Sequence, residues 1–142
     1  MIDGEQGVGF EGRTDSGQRV VMGAPAEAGG ADLGPRPMAM LLLGLGGCSA
    51  VDVVHILRRG RHLVSDCEVE IEARRAEQPP QVFETIHMTF RVSGEGLSVA
   101  AAERAVRLSA EKYCSASIML GASARISHEV AVVPAAERGV VG

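Results

Sequence analysis

The chain has 142 residues, enough for one domain with a sizeable core, and 46% of them are hydrophobic although only 3% are aromatic. Fourteen basic against eighteen acidic side chains leave a formal charge of −4, without the basic excess of a general nucleic-acid binder. Three cysteines, at 48, 67 and 114, are an odd and widely spaced set that does not form a secreted disulfide framework.

The opening stretch MIDGEQGVGF has neither the basic nor the apolar region of a secretory leader, so a cytoplasmic protein is expected. Residues 1–23 alternate loosely, and RTDSG (13–17) reads as a turn between two short strands. Residues 24–36 are rich in Gly, Ala and Pro and have no periodicity. They form a connecting loop of the length that more often serves a site or an interface than an idle linker. Pro37 suits the first turn of a helix that runs to about Arg59, with a kink or break at Gly46-Gly47. Gly60, with Arg58, Arg59 and Arg61 around it, gives the C-terminal signals. The apolar run Met38–Val51 is shorter than the ~20 residues of a membrane span. A core helix buried by a partner subunit is the expectation, with no membrane.

In DCEVEIEAR (66–74), Cys67, Val69, Ile71 and Ala73 fall on one face and charged residues on the other, which marks a strand with one wet face. After the loop EQPPQ, a second strand carries Ile86, Met88, Phe90 and Val92 inward. SGEG turns the chain into a helix capped by Ser98, with Val99, Ala102, Val106, Ala110 and Tyr113 as its apolar stripe. A small-residue helix (114–124), a last strand (125–133) and a flexible tail (134–142) complete one domain, 1–142. The order ββ–α–ββ–α–α–β makes an α+β protein.

Cys48 stands in Gly-Gly-Cys-Ser-Ala and Cys114 in Lys-Tyr-Cys-Ser-Ala, each near a helix start or break and followed by small residues. Unpaired N–H groups at such a place lower a thiol pKa, and two thiols in reach form a sulfenic acid–disulfide couple. The same residues also read as small hydrophobes filling gaps. Asp52 and His55 follow Cys48 by four and seven positions on one helical stripe. There a carboxylate would raise the thiol pKa and a protonated imidazole would lower it; a hydrogen-bonded pair across a dimer is the alternative. Glu111, three before Cys114, faces either the site or solvent. Cys67 reads as core. His87 and His128 lack a close second ligand, and no metal site is expected, although Cys48, His55 and Cys114 form a conceivable set. GLGG, with no Lys-Ser/Thr behind it, is not a phosphate loop.

GPRPMAMLLLGLGGCSAVDVVHIL followed by LSAEKYCSASIML closely resembles the OsmC/Ohr superfamily of osmotically inducible and organic hydroperoxide resistance proteins, and most of all its YhfA-type OsmC-like subgroup. The resemblance runs from about Val8 to Val133. It implies an intertwined homodimer with central helices between outer antiparallel sheets and two active sites at the subunit interface. It implies Cys48 as the peroxidatic thiol and Cys114 as the resolving one, acting on organic hydroperoxides. An external dithiol such as a dihydrolipoyl group would be the reductant, with no bound cofactor. The family's peroxidases carry a glutamate about ten positions before the first cysteine, paired with an N-terminal arginine that holds the thiolate. Here Met38, Ala39 and Met40 occupy that stretch; Arg13, with Arg19 behind it, is the arginine candidate. The missing acid keeps two other functions open on the same fold, a small apolar ligand-binding protein and a thiol redox sensor.

Overall fold

A computed structural model describes residues 1–4, 7–30 and 32–134, and the chain divides into two units, 1–43 and 44–142. In the first, strands β1 (Ile2–Gly4), β2 (Gly7–Arg13) and β3 (Arg19–Gly23) form an antiparallel sheet in that order. The turn expected at 13–17 joins β2 to β3, where the Thr14 N–H donates to the Gln18 carbonyl at 3.0 Å. The strand beyond the two expected, β1, has only three residues, too few to show an alternation. The Gly/Pro-rich connection is tied to the sheet by its backbone. Val8 N–H donates to the Gly29 carbonyl and Gly23 N–H to the Pro35 carbonyl, both at 3.0 Å. Of the expected flexible tail, residues 135–142 lie outside the described residues.

Helix α1 (Pro37–Arg59) runs unbroken for 23 residues, through the Gly46-Gly47 pair where a kink or break is expected from sequence. Two glycines cost about 1 kcal/mol each in helix propensity, and the helix has compensation: Leu45, Ser49, Val53 and Leu57 form a buried i, i+4 row. Gly46 also has a packing role, because a Cβ there would stand 3.3 Å from Cδ1 of Ile71 on strand β4 (Asp66–Arg75). The helix ends in a Schellman motif. His62 N–H donates to the Leu57 carbonyl and Arg61 N–H to the Arg58 carbonyl, each at 3.0 Å. The left-handed residue there is Arg61, at φ 65°, rather than the glycine before it.

Strand β5 (Phe83–Ser93) pairs antiparallel with β4 and parallel with β6 (Arg125–Val132), in the order β4-β5-β6. The second sheet is therefore mixed, which corrects the expectation of wholly antiparallel sheets. A return through two helices, α2 (Val99–Leu108) and α3 (Ser115–Gly121), is long enough to bring β6 back in the same direction as β5. As the alternation predicted, Ile86, Met88, Phe90 and Val92 of the central strand are buried. Ser98 caps α2, accepting the Ala101 N–H at 3.2 Å. The buried stripe of α2 is Ala102, Ala105 and Val106, while Val99 and Tyr113 are half exposed, at 49% and 52%. Tyr113 leaves the expected stripe because α2 stops at Leu108 and a π-helical turn, Ser109–Tyr113, changes the phase. On the wet face of the sheet Arg91 pairs with Glu70 at 2.7 Å, and the His87 ring lies between Ser127 Oγ (2.7 Å) and Glu129 (2.8 Å).

Two substitutions check this account by urea denaturation. Gly46→Leu overpacks the contact with β4 and is expected to destabilise the protein by about 1–3 kcal/mol. Arg61→Gly removes a left-handed side-chain residue and is expected to stabilise it by about 1 kcal/mol.

Candidate active site

The second unit brings three of the expected site residues together. Cys48 and Asp52 are one helical turn apart on α1, and Cys114 is the N-cap of α3. The sulfurs of Cys48 and Cys114 and a carboxylate oxygen of Asp52 all lie within 4.8 Å of one another. Cys48 and Asp52 are half-buried and Cys114 is fully buried. A disulfide between them would bring the sulfurs to about 2.05 Å.

The π turn aims Cys114 at α1. Its N–H donates to the Ser109 carbonyl at 2.7 Å, and the Ser109 hydroxyl donates to Oδ2 of Asp52 at 3.1 Å. π turns of this kind often mark functional sites because they rotate the following residue off the helical course. Around the Cys114 sulfur stand the Ser49 hydroxyl at 3.3 Å and the Ser117 N–H at 3.4 Å. Ser117 Oγ is buried, and the Ser117 side chain also donates toward the Cys114 sulfur.

These contacts set the two thiols apart. Burial, the largest influence on Cys114, pushes its pKa up, but donors from Ser117, Ser49 and Cys48 outweigh it and hold the thiol below its ordinary range. For Cys48 the largest single influence, the Ala116 N–H, acts downward. The hydrogen bond to Cys114, burial and the charges of Cys114 and Asp52 together outweigh it and raise the thiol. The two thiols titrate together, and their shifts run in opposite directions, Cys114 down and Cys48 up.

His55, Glu111 and Cys67 are not members of this cluster. His55 is exposed on α1, between a hollow of about 500 Å³ that it shares with Cys67 and one of about 560 Å³ that it shares with Asp52 and Tyr113. Glu111 is exposed on the π turn. Cys67 lies half-buried on β4. Arg13 ends β2 in the first unit, where Glu11 pairs with it at 3.4 Å and with Arg19 at 3.7 Å. Ser49, Ser109 and Ser117 are site residues that the motif reading passed over. Their one sequence signal is position: Ser49 directly follows Cys48, and Ser117 stands three residues after the N-cap Cys114, where a helix offers an N–H to its cap.

Residues 29–129 match the family described as OsmC-like protein. The chain is similar to protein YhfA of Escherichia coli (strain K12), 45% identical over 130 residues that cover 92% of this chain and 94% of that protein. A crystal structure of a hypothetical protein from Aquifex aeolicus VF5 superposes with a TM-score of 0.75 at 33% identity, covering 94% of this chain and 93% of that one. An organic hydroperoxide resistance protein OsmC from Legionella pneumophila shares the fold, with a TM-score of 0.65 at 18% identity over 89% of this chain and 96% of that one.

Thiolate absorbance at 240 nm, titrated in a Cys67→Ser background, checks the electrostatics of the pair. The first thiolate is expected below the ordinary thiol range, to move upward in Ser49→Ala, and to return in Ser49→Thr, which restores a hydroxyl. An unchanged curve in Ser49→Ala would remove Ser49 from the site.

Proposed function

We propose, for a chain that belongs to the OsmC-like protein family and within it to the YhfA type, that it reduces organic hydroperoxides by a Cys48–Cys114 disulfide cycle. The observation that carries this reading is the placing of both sulfurs within 4.8 Å of each other, one half-buried and one fully buried. The more accessible sulfur, Cys48, is the one a hydroperoxide reaches. The Cys114 thiolate takes the Cys48 proton as Cys48 attacks the terminal peroxide oxygen. The O–O bond breaks, Cys48 becomes a sulfenic acid, and the alkoxide takes a proton to leave as an alcohol. Cys114, again a thiolate, attacks the Cys48 sulfur and expels hydroxide, which closes the disulfide.

An external dithiol of the dihydrolipoyl class resets the pair. It attacks Cys48, the more open sulfur, and Cys114 leaves as the thiolate that Ser49 and Ser117 stabilise. The second thiol of the reductant then releases Cys48 and carries away the disulfide. The upward shift of the Cys48 thiol, together with Met-Ala-Met at 38–40, favours a second reading, a thiol sensor that forms the same disulfide without sustained turnover.

The working unit in this reading is a homodimer in the cytoplasm. Helix α1 has the length and apolarity to cross a membrane, but its inner row already packs within the chain. Its outer face carries Gly44, Gly47 and Val51 at i, i+3 and i+7. Val51 is 69% exposed, and a Cβ at either glycine would meet nothing within 4 Å. Such a face admits a second copy of the helix at close range.

Cumene hydroperoxide is expected to oxidise the reduced protein far faster than it oxidises a free thiol. Mass spectrometry should then show a Cys48–Cys114 disulfide, and Cys114→Ser should stop at a dimedone-reactive sulfenic acid. Oxidation no faster than that of free cysteine would overturn the peroxidase reading; rapid disulfide formation without turnover on a dihydrolipoyl reductant would select the sensor. By analytical ultracentrifugation, Val51→Glu is expected to turn a dimer into monomers, and a wild-type protein already monomeric at micromolar concentration would sink the dimer.

A further inference from the structure

We propose that the reduced site binds a thiophilic divalent cation of the zinc class through Cys48, Cys114 and Asp52. Among the described residues these three bring a potential ligand atom each to within 4.8 Å of the other two. A tetrahedral zinc ion with sulfur and oxygen ligands sets its donors roughly 3.6–3.8 Å apart, from bond lengths of about 2.3 Å and 2.0–2.2 Å. The cluster reaches that spacing through side-chain rotation, since Cys48 and Asp52 share one face of a continuous helix and the π turn fixes Cys114 opposite them.

The surroundings suit a metal as well as the donors do. Ligating groups are ordinarily oriented by hydrogen bonds from a surrounding shell, and each of the three has one. The Ser109 hydroxyl holds Oδ2 of Asp52 at 3.1 Å and leaves Oδ1 for the ion. The Ser49 hydroxyl and Ser117 N–H stand at the Cys114 sulfur, and the Ala116 N–H serves Cys48. Asp52 also lines the hollow of about 560 Å³, which gives the fourth coordination position a route to water. Three protein ligands with one open position is the pattern of a reactive zinc site rather than a closed structural one. Asp52, not His55, is the third ligand, because i+4 stays beside the sulfur while His55 at i+7 is exposed.

As the ion binds, any proton still on either sulfur leaves to solvent, since the metal takes both as thiolates. Disulfide formation consumes both sulfur ligands, so metal and disulfide exclude each other and the cation masks the thiols from oxidants. The inference does not rest on hydroperoxide reduction, and its test uses no hydroperoxide.

The test is a Co²⁺ titration of the reduced full-length protein, with Zn²⁺ displacement. One Co²⁺ per chain is expected, with a near-ultraviolet sulfur-to-cobalt charge-transfer band that Zn²⁺ abolishes. Asp52→Asn should weaken binding at least tenfold, and protein first oxidised by diamide, which takes two electrons and two protons from the thiols, should give no band. Absence of the band in the reduced protein, an equal band after diamide, or an Asp52→Asn titration matching the wild type would each overturn the proposal.

Discussion

The chemistry of the second unit depends on one backbone event, the π-helical turn from Ser109 to Tyr113. Had α2 continued as a regular helix, Cys114 would lie one helical step further round instead of capping α3. The turn holds itself through the 2.7 Å bond from Cys114 N–H to the Ser109 carbonyl, and the side chain of the same serine reaches Asp52 on α1. One residue thus both shapes the turn and ties it to the helix it faces. The Cys114 sulfur then comes to rest among donors that α1 and α3 supply together, Ser49 from one and Ser117 from the other.

That arrangement resolves a conflict within the site. Burial alone would keep both thiols protonated and unreactive, because a sulfur anion loses water that apolar side chains do not replace. Hydroxyl and amide donors replace it at Cys114 and reverse the direction there. At Cys48 the single amide is outweighed, partly by the carboxylate one helical turn away. The same Asp52 that works against a Cys48 anion is what gives the cluster the composition of a cation site. A positive ion would bring together three groups that otherwise repel one another as they lose protons.

Much of the scaffold was legible because it rests on local periodicity. The alternation through Ile86, Met88, Phe90 and Val92 identifies a strand buried on one face wherever it sits in the fold, and it is the buried centre of the sheet. Ser98 marks a helix start by a bond three residues long. What was not legible depends on phase and on contacts distant in sequence. The glycine pair in α1 reads as a break, yet Gly46 serves the approach of β4, a neighbour 25 positions later at Ile71. Asp52 and His55 are equivalent by stripe, and only the location of Cys114 distinguishes them. The resemblance of the two cysteine motifs to relatives anticipated that the thiols belong together; nothing in their own spacing does, since the turn that unites them obeys no sequence period. The parallel pairing of β6 likewise follows from where the helical return ends rather than from the pattern of the strand itself.

Helix α1 carries two demands that are usually separated. Its inner row, Leu45, Ser49, Val53 and Leu57, anchors it within the chain and includes a serine that touches the second thiol. Its outer row is small and apolar and stays uncovered in a single chain. Cys48 sits between the rows, so its half-buried state is a consequence of the helix having two faces to satisfy. A second subunit on the outer row would leave the Ser49 and Ser117 donors to Cys114 untouched, because Ser49 belongs to the inner row and Ser117 to α3. It would instead govern how much of Cys48 a solute can reach. In such an assembly the electrostatics of the thiol pair is a property of the chain, and access to it a property of the interface.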